Sequence, residues 1–236
     1  MQHPMNRYEE GQMILIDKPL KWTSFDVVRK IRRLTGAKTG HAGTLDPLAT
    51  GLLIVCTGRM TRKISEYQAR EKTYTGTFTL GATTLTYDLE SEPVYAGDHS
   101  LLTPEQLRQA TVPFLGKQLQ MPPAHAAIKK NGTPVYRLAR KGIAVELEPR
   151  PVEITVFELT RIALPEVDFR VVCSTGTYIR SLAHDFGQAL GCGAHLSALR
   201  RTHIGDFSVE EAVTPDEFAR RLQEEETFRT DNLPRS

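Results

Sequence analysis

Short apolar runs separated by turns that carry glycine and proline set the pattern of this chain. Residues 13–16 read as an apolar strand ending at Asp17-Lys18-Pro19. A helix is predicted over residues 25–34, with Val27, Val28, Ile31 and Leu34 as its buried stripe. Thr23 or Ser24 is its N-cap, Asp26 sits in its first turn and Gly36 follows its end. Residues 52–56 are continuously apolar, most simply a buried strand, and a short helix is predicted over 59–67. Residues 72–81 alternate. Tyr74, Gly76, Phe78 and Leu80 share one face, and Thr73, Thr75, Thr77 and Thr79 the other. Residues 83–92 form a polar loop in which Asp88 has no role beyond loop structure.

The second half repeats the mixture. Thr103-Pro104 opens a helix with Leu107, Ala110 and Phe114 inside and Gly116 at its close. Asn131-Gly132 signals a tight turn, and Pro134 begins a short helix over 135–141. Two strands, 152–164 and 167–173, flank a turn at Pro165. A helix follows, capped by Thr175 or Thr177 and ending at Gly191. Ser208 with Glu211, and Thr214 with Glu217, are capping boxes that open two short helices. Residues 1–10 and 224–236 are polar and expected to be flexible, leaving one catalytic domain over 11–223.

Composition changes this picture little. The 236 residues are 40% hydrophobic, enough for a sizeable core. Thirty Lys and Arg against 28 Asp and Glu give a net charge of +2, so any affinity for nucleic acid must come from local clusters. Arg29, Lys30, Arg32 and Arg33 crowd the first helix, with Lys38 just beyond. Lys129, Lys130, Arg137, Arg140 and Lys141 form a second cluster. Read alone, each is a solvated helix face. Three separated cysteines, Cys56, Cys173 and Cys192, argue against a disulfide framework or structural zinc. The spacing of His184, His195 and His203 fits no familiar metal set. The polar N-terminus is no signal peptide and no run approaches a membrane span, so a cytoplasmic setting is expected.

Candidate chemistry centres on residues 40–51, G-H-A-G-T-L-D-P-L-A-T-G. Gly40, Gly43 and Gly51 permit unusual backbone angles, and Pro47 pushes Asp46 toward an extended conformation. A carboxylate is thereby presented on a stiff turn leading into a buried strand. By themselves such residues specify only a surface turn. The string, however, resembles the active-site motif of the TruB family, the tRNA pseudouridine-55 synthases. Three further blocks resemble that family in the same order: Gln120 to Gly142, with P-P-A-H-A-A-I-K-K-N-G; G-T-Y-I-R-S-L at 176–182; and L-S-A-L-R-R-T at 196–202.

The resemblance implies an α+β pseudouridine synthase fold, with a mixed, mostly antiparallel central sheet flanked by helices and loops. It implies that Asp46 is catalytic, that Tyr74 of the K-T-Y strand lies on the target base, and that Arg180 reaches the catalytic Asp. Tyr178 matches a residue contacting the nucleotide, Leu199 one packing on the base, and His41 one filling the gap left by a flipped base. Lys18 is assigned to substrate binding, and the two basic clusters to the RNA backbone. The substrate implied is the T-arm of tRNA, handled by a monomer with no cofactor and no metal. The chemistry fits these residues. C1′ of the ribose becomes electron-poor as uracil departs, and one carboxylate beside it can stabilise or bond to it. A guanidinium would keep that carboxylate ionised. Many members continue into a small RNA-binding PUA domain, for which the stretch after Thr202 is too short. Competing readings are a guide-RNA-directed synthase of the same branch, an RNA-folding helper with secondary catalysis, and a hydrolase pairing Asp46 with Glu66 or Asp88.

Overall fold

A computed structural model of the chain describes residues 6–123, 129–130, 133–134 and 147–231. The elements run α1 (Arg7–Glu10), β1 (Met13–Lys18), α2 (Ser24–Thr35), β2 (Thr39–Ala42), β3 (Ala49–Thr57), α3 (Ile64–Ala69), β4 (Lys72–Leu80), β5 (Ala82–Thr83) and β6 (Val94–Tyr95). They continue with α4 (Pro104–Gln109), β7 (Gly116–Gln120), β8 (Lys129–Lys130), β9 (Thr133–Pro134), β10 (Arg150–Ala163), β11 (Glu166–Cys173), α5 (Ile179–Ala189), β12 (Ala194–Ile204), β13 (Phe207–Ser208) and α6 (Pro215–Asp231). The chain divides into two compact units, Met1–Arg70 with Arg200–Ser236, and Glu71–Leu199. The strand pairs within them are antiparallel, as expected of the fold class.

In the first unit β3 pairs with β1, Met13 opposite Cys56 through Lys18 opposite Gly51, and with β2, Gly40 opposite Cys56. The apolar run of β3 is continuous because both faces of the strand are covered. Leu53 and Val55 pack with Ile16, Val27, Ile31 and Phe218. Leu52, Ile54 and Cys56 pack with Ala42, Ile204 and Val209. At about 1.5–3 kcal/mol per buried aliphatic side chain, this strand anchors its unit. Helix α2 matches its prediction closely. Thr23 and Asp26 form a reciprocal capping box, and Gly36 ends the helix at φ 69°.

In the second unit β4 pairs with β11, and β11 with β10, which also pairs with β7. The predicted alternation of β4 holds, with Tyr74, Phe78 and Leu80 buried. Gly76 on that face is required. A Cβ there would lie 2.2 Å from the carbonyl oxygen of Ala198. Phe78 stacks on Phe169 with centroids 4.1 Å apart, and Phe186 of α5 closes on Phe78 and Phe157 at 5.8 and 5.5 Å. This aromatic packing fixes α5 against the sheet face.

Several expectations are corrected. The N-terminal stretch is folded from Asn6, which caps α1 in a box with Glu9, while Tyr8 is buried with its ring edge on Phe218. The described part of the tail, residues 224–231, is helical. One seventeen-residue helix, α6, runs to Asp231, with Phe218 and Leu222 packed on the core and Glu217 paired to Arg220 and Arg221. Neither Thr175 nor Thr177 caps α5. The N-cap is Tyr178, and Thr177 donates to the Ser174 carbonyl. Gly116 opens β7 rather than closing a helix, and the turn after Ser208 is a single 3-10 turn. The predicted helix over 59–67 is a 3-10 turn, Gly58–Lys63, followed by α3. The Asn131-Gly132 turn and the 135–141 helix lie outside the described residues.

Gly51 carries a sharp prediction. Its φ is 104°, and a Cβ would sit 2.2 Å from the carbonyl oxygen of Arg201. Gly51→Ala is expected to cost at least about 2 kcal/mol, through strain and clash together. Denaturant unfolding measures it, and a loss below half that value contradicts the close approach.

Candidate active site

The loop between β2 and β3 carries Asp46, and its stiffness comes from more than glycine and proline. Ser24, the first residue of α2, grips the residue before Asp46 at both polar groups. Its Oγ donates to the Leu45 carbonyl at 3.1 Å and accepts from the Leu45 N–H at 2.9 Å. The Pro47 carbonyl accepts from the Lys21 N–H at 2.8 Å, and the Asp46 carbonyl from the Ala49 N–H at 3.0 Å. Arg201 of β12, 1% exposed, spans the ends of the loop. Its Nη2 donates to the Gly43 carbonyl at 3.0 Å and its Nε to the Leu52 carbonyl at 2.8 Å. The Asp46 side chain stands half-buried on this frame.

A buried positive charge acts on it. Lys18, at the end of β1, is 0% exposed, and its ammonium donates to the carbonyls of Pro19 at 3.0 Å and Trp22 at 2.5 Å. Burial lowers its pKa to about 8, the negative charge of Asp46 works against that fall, and Arg201 adds to it. Lys18 thus stays charged at neutral pH. Arg200, beside Arg201 in sequence, grips Asp17 with both Nη atoms, at 3.0 and 2.8 Å. His41 in β2 is half-buried, its Nδ1 shielded and without a hydrogen-bond partner among the described residues. Its pKa is lowered, first by burial and then by Arg201, against a hydrogen bond with the Gly43 backbone. Both effects favour the uncharged imidazole.

The second unit holds the other predicted residues. Tyr74 lies in β4 opposite Val171 and is buried. Arg180, in the first turn of α5, is 5% exposed. Its Nη1 donates to the Thr86 carbonyl at 3.3 Å, and its Nε lies 3.8 Å from Oδ2 of Asp88. Asp88, 4% exposed, accepts from Thr86 Oγ1 at 2.6 Å and from the Glu90 N–H at 3.0 Å through Oδ1. Asp88 is therefore more than a loop residue: it anchors Arg180, contrary to the sequence expectation. Tyr178 is held through its backbone. Gln120 Oε1 accepts from its N–H at 2.8 Å, and Gln120 Nε2 donates to its carbonyl at 3.0 Å. Leu199, near the middle of β12, is half-buried.

The first unit thus gathers Asp46, His41 and Lys18, and the second holds Tyr74, Tyr178, Arg180 and Leu199. Arg29, Arg32, Arg33 and Lys38 are exposed on and just after α2. Lys30 is drawn away from that face, paired with Asp216 and set over the Trp22 ring at 5.6 Å. The side chains of Lys129, Lys130, Arg137 and Arg140 lie outside the described residues. Sequence reasoning missed Ser24, Arg201, Gln120 and Asp88 as site-building residues. Of these, only Asp88 carried a local signal, in Thr84 and Thr86 just before it.

Comparison with known proteins bears on this geometry. Residues 29–179 match the TruB family pseudouridylate synthase N-terminal domain, and residues 180–235 the tRNA pseudouridylate synthase B C-terminal domain. The chain is 54% identical to tRNA pseudouridine synthase B of Flavobacterium johnsoniae over 228 residues, covering 92% of this chain and 98% of that one. It is 47% identical to the protein of that name from Phocaeicola vulgatus, covering 93% and 96%. Among solved structures it resembles a chain of an H/ACA RNP bound to a substrate RNA containing 2′-deoxyuridine, with a TM-score of 0.69 and 29% identity. That match covers 92% of this chain and 55% of the other, so this chain spans about half the length of that one.

Lys18 supplies a pH signature. Its pKa is about 8 when folded against an ordinary 10.5, so between those values the unfolded chain binds the extra proton. Stability attributable to Lys18 therefore rises with pH across that window. Lys18→Met is expected to remove this increment. Unfolding midpoints of both proteins at pH 7.5 and 9.5 measure it, and equal slopes contradict the buried charge.

Proposed function

We propose, from the premise that this chain belongs to the TruB family of pseudouridylate synthases, that it isomerises uridine 55 in the T-arm loop of tRNA to pseudouridine. The observation that supports this most is the near full-length likeness to tRNA pseudouridine synthases B. In this reading the reaction breaks the N1–C1′ bond, turns the uracil and joins C5 to C1′. Nothing is oxidised and no phosphate is spent, so the protein works without a cofactor, as a cytoplasmic monomer.

Asp46 acts at C1′, where charge develops as the base leaves. One carboxylate suffices because the departing uracil anion stabilises its own charge. Lys18, enclosed near Asp46, sets a positive charge against the acidic group. Arg180 is the second proposed stabilising cation, oriented by Asp88 and the Thr86 carbonyl. Tyr74 offers the loosened base a flat surface, and Tyr178 and Leu199 contact the nucleotide. The target base lies inside the T-loop and must be extruded at a cost of a few kcal/mol. The neutral, partly buried His41 ring suits the vacated space. Arg29, Arg32, Arg33 and Lys38 supply the phosphate contacts expected for structured RNA. Likeness to chains of H/ACA particles keeps a guide-directed activity as the second reading.

Incubation with an unmodified tRNA transcript, without any guide RNA, is expected to yield pseudouridine at position 55 alone. Modification elsewhere, or a requirement for guide RNA, contradicts the proposal. tRNA affinity is expected to fall steeply between low and moderate salt, and a flat response contradicts the basic face. His41→Ala is expected to reduce activity on folded tRNA more than on a single-stranded substrate. Equal losses remove the role of His41 in extrusion.

A further inference from the structure

Helix α5 has a second grip on the loop that holds Arg180. That loop is Thr86-Tyr87-Asp88, and Arg180 reaches its first and last members, the Thr86 carbonyl at 3.3 Å and Asp88 at 3.8 Å. One helical turn along the same face, the His184 imidazole lies flat on the middle member. The His184 and Tyr87 rings have centroids 4.1 Å apart and planes within 15°. Tyr87 has a φ of 64°, a left-handed conformation that a bulky side chain keeps only when its surroundings hold it. Its N–H donates to the Thr84 carbonyl at 3.3 Å, and its carbonyl accepts from the Leu196 N–H at 2.9 Å. His184 Nδ1 is buried and has no hydrogen-bond partner among the described residues. The imidazole meets Tyr87 as a flat ring.

We infer that the His184–Tyr87 stack is a positioning device for Arg180. By pressing Tyr87 into its left-handed conformation, the ring keeps the Thr86 carbonyl and the Asp88 carboxylate aimed at one guanidinium. Neither His184 nor Tyr87 touches the reacting atoms; both act through Arg180. The inference rests on the role proposed for Arg180 above.

Two measurements test it. In steady-state assays on tRNA, His184→Ala is expected to lower kcat about tenfold, with KM unchanged within about twofold, as small misplacement of a reacting group does. His184→Phe restores the flat ring and most of kcat. In an Arg180→Lys background, adding His184→Ala costs nothing more. A loss confined to KM, no rescue by Phe, or full multiplication in the Arg180→Lys background overturns the inference. Independently of activity, hydrogen exchange at the Leu196 and Glu90 amides is expected to quicken about tenfold in His184→Ala and to stay at the parent rate in His184→Phe. Unchanged exchange in His184→Ala overturns the inference. Should His184→Ala fold poorly, Tyr87→Leu carries the same expectations. A parent protein that makes no pseudouridine, with the exchange pattern intact, sinks the proposed function and leaves the stack standing.

Discussion

A buried guanidinium holds the Asp46 loop to the strand behind it. Arg201 cannot lose its proton and is almost fully enclosed, so its burial is costly unless its donors are filled. Two of them are filled by the carbonyls of Gly43 and Leu52, one before and one after Asp46. Removing that side chain would leave both carbonyls without this donor, which makes the loop and β3 one mechanical piece. The same closeness accounts for Gly51, where the backbone of β12 leaves no room for a Cβ.

That frame also shapes the electrostatics. The enclosed Lys18 feels both the negative charge of Asp46 and the positive charge of the enclosed Arg201. The second unit repeats the device with different parts: a nearly enclosed arginine, Arg180, is oriented by a nearly enclosed carboxylate, Asp88, and a backbone carbonyl. In both units the arginine sits on a rigid element and at least one partner on a loop, so the loop is fixed by the scaffold.

How much of this was legible follows from the range of each interaction. Helix α2 and strands β3 and β4 were readable because capping, apolar runs and alternation are local signals. Their burial patterns match, with Gly76 the exception on its face of β4. The Asp46 turn was visible as a turn, but its chemical meaning came from likeness to a family. Arg200 and Arg201 were indistinguishable in the sequence. Only pairing across the unit puts one on Asp17 near solvent and the other inside. Asp88 was hidden because its partner lies on a helix far along the chain. The terminal helix was underestimated because charged residues masked Phe218 and Leu222, whose spacing of one turn already marked a buried face.

The central claim is that the Asp46 carboxylate, and not the surface around it, makes the reaction happen. Asp46→Asn keeps the size and the backbone clamps of Ser24 and Arg201 while removing the charge. Side-by-side single-turnover and tRNA-binding measurements on the parent and this variant test the claim most directly. The account predicts binding within about threefold of the parent and a rate of pseudouridine formation lower by at least about a thousandfold, as loss of a reacting charged group produces. A variant that binds tRNA normally and still turns it over within about tenfold of the parent would contradict it.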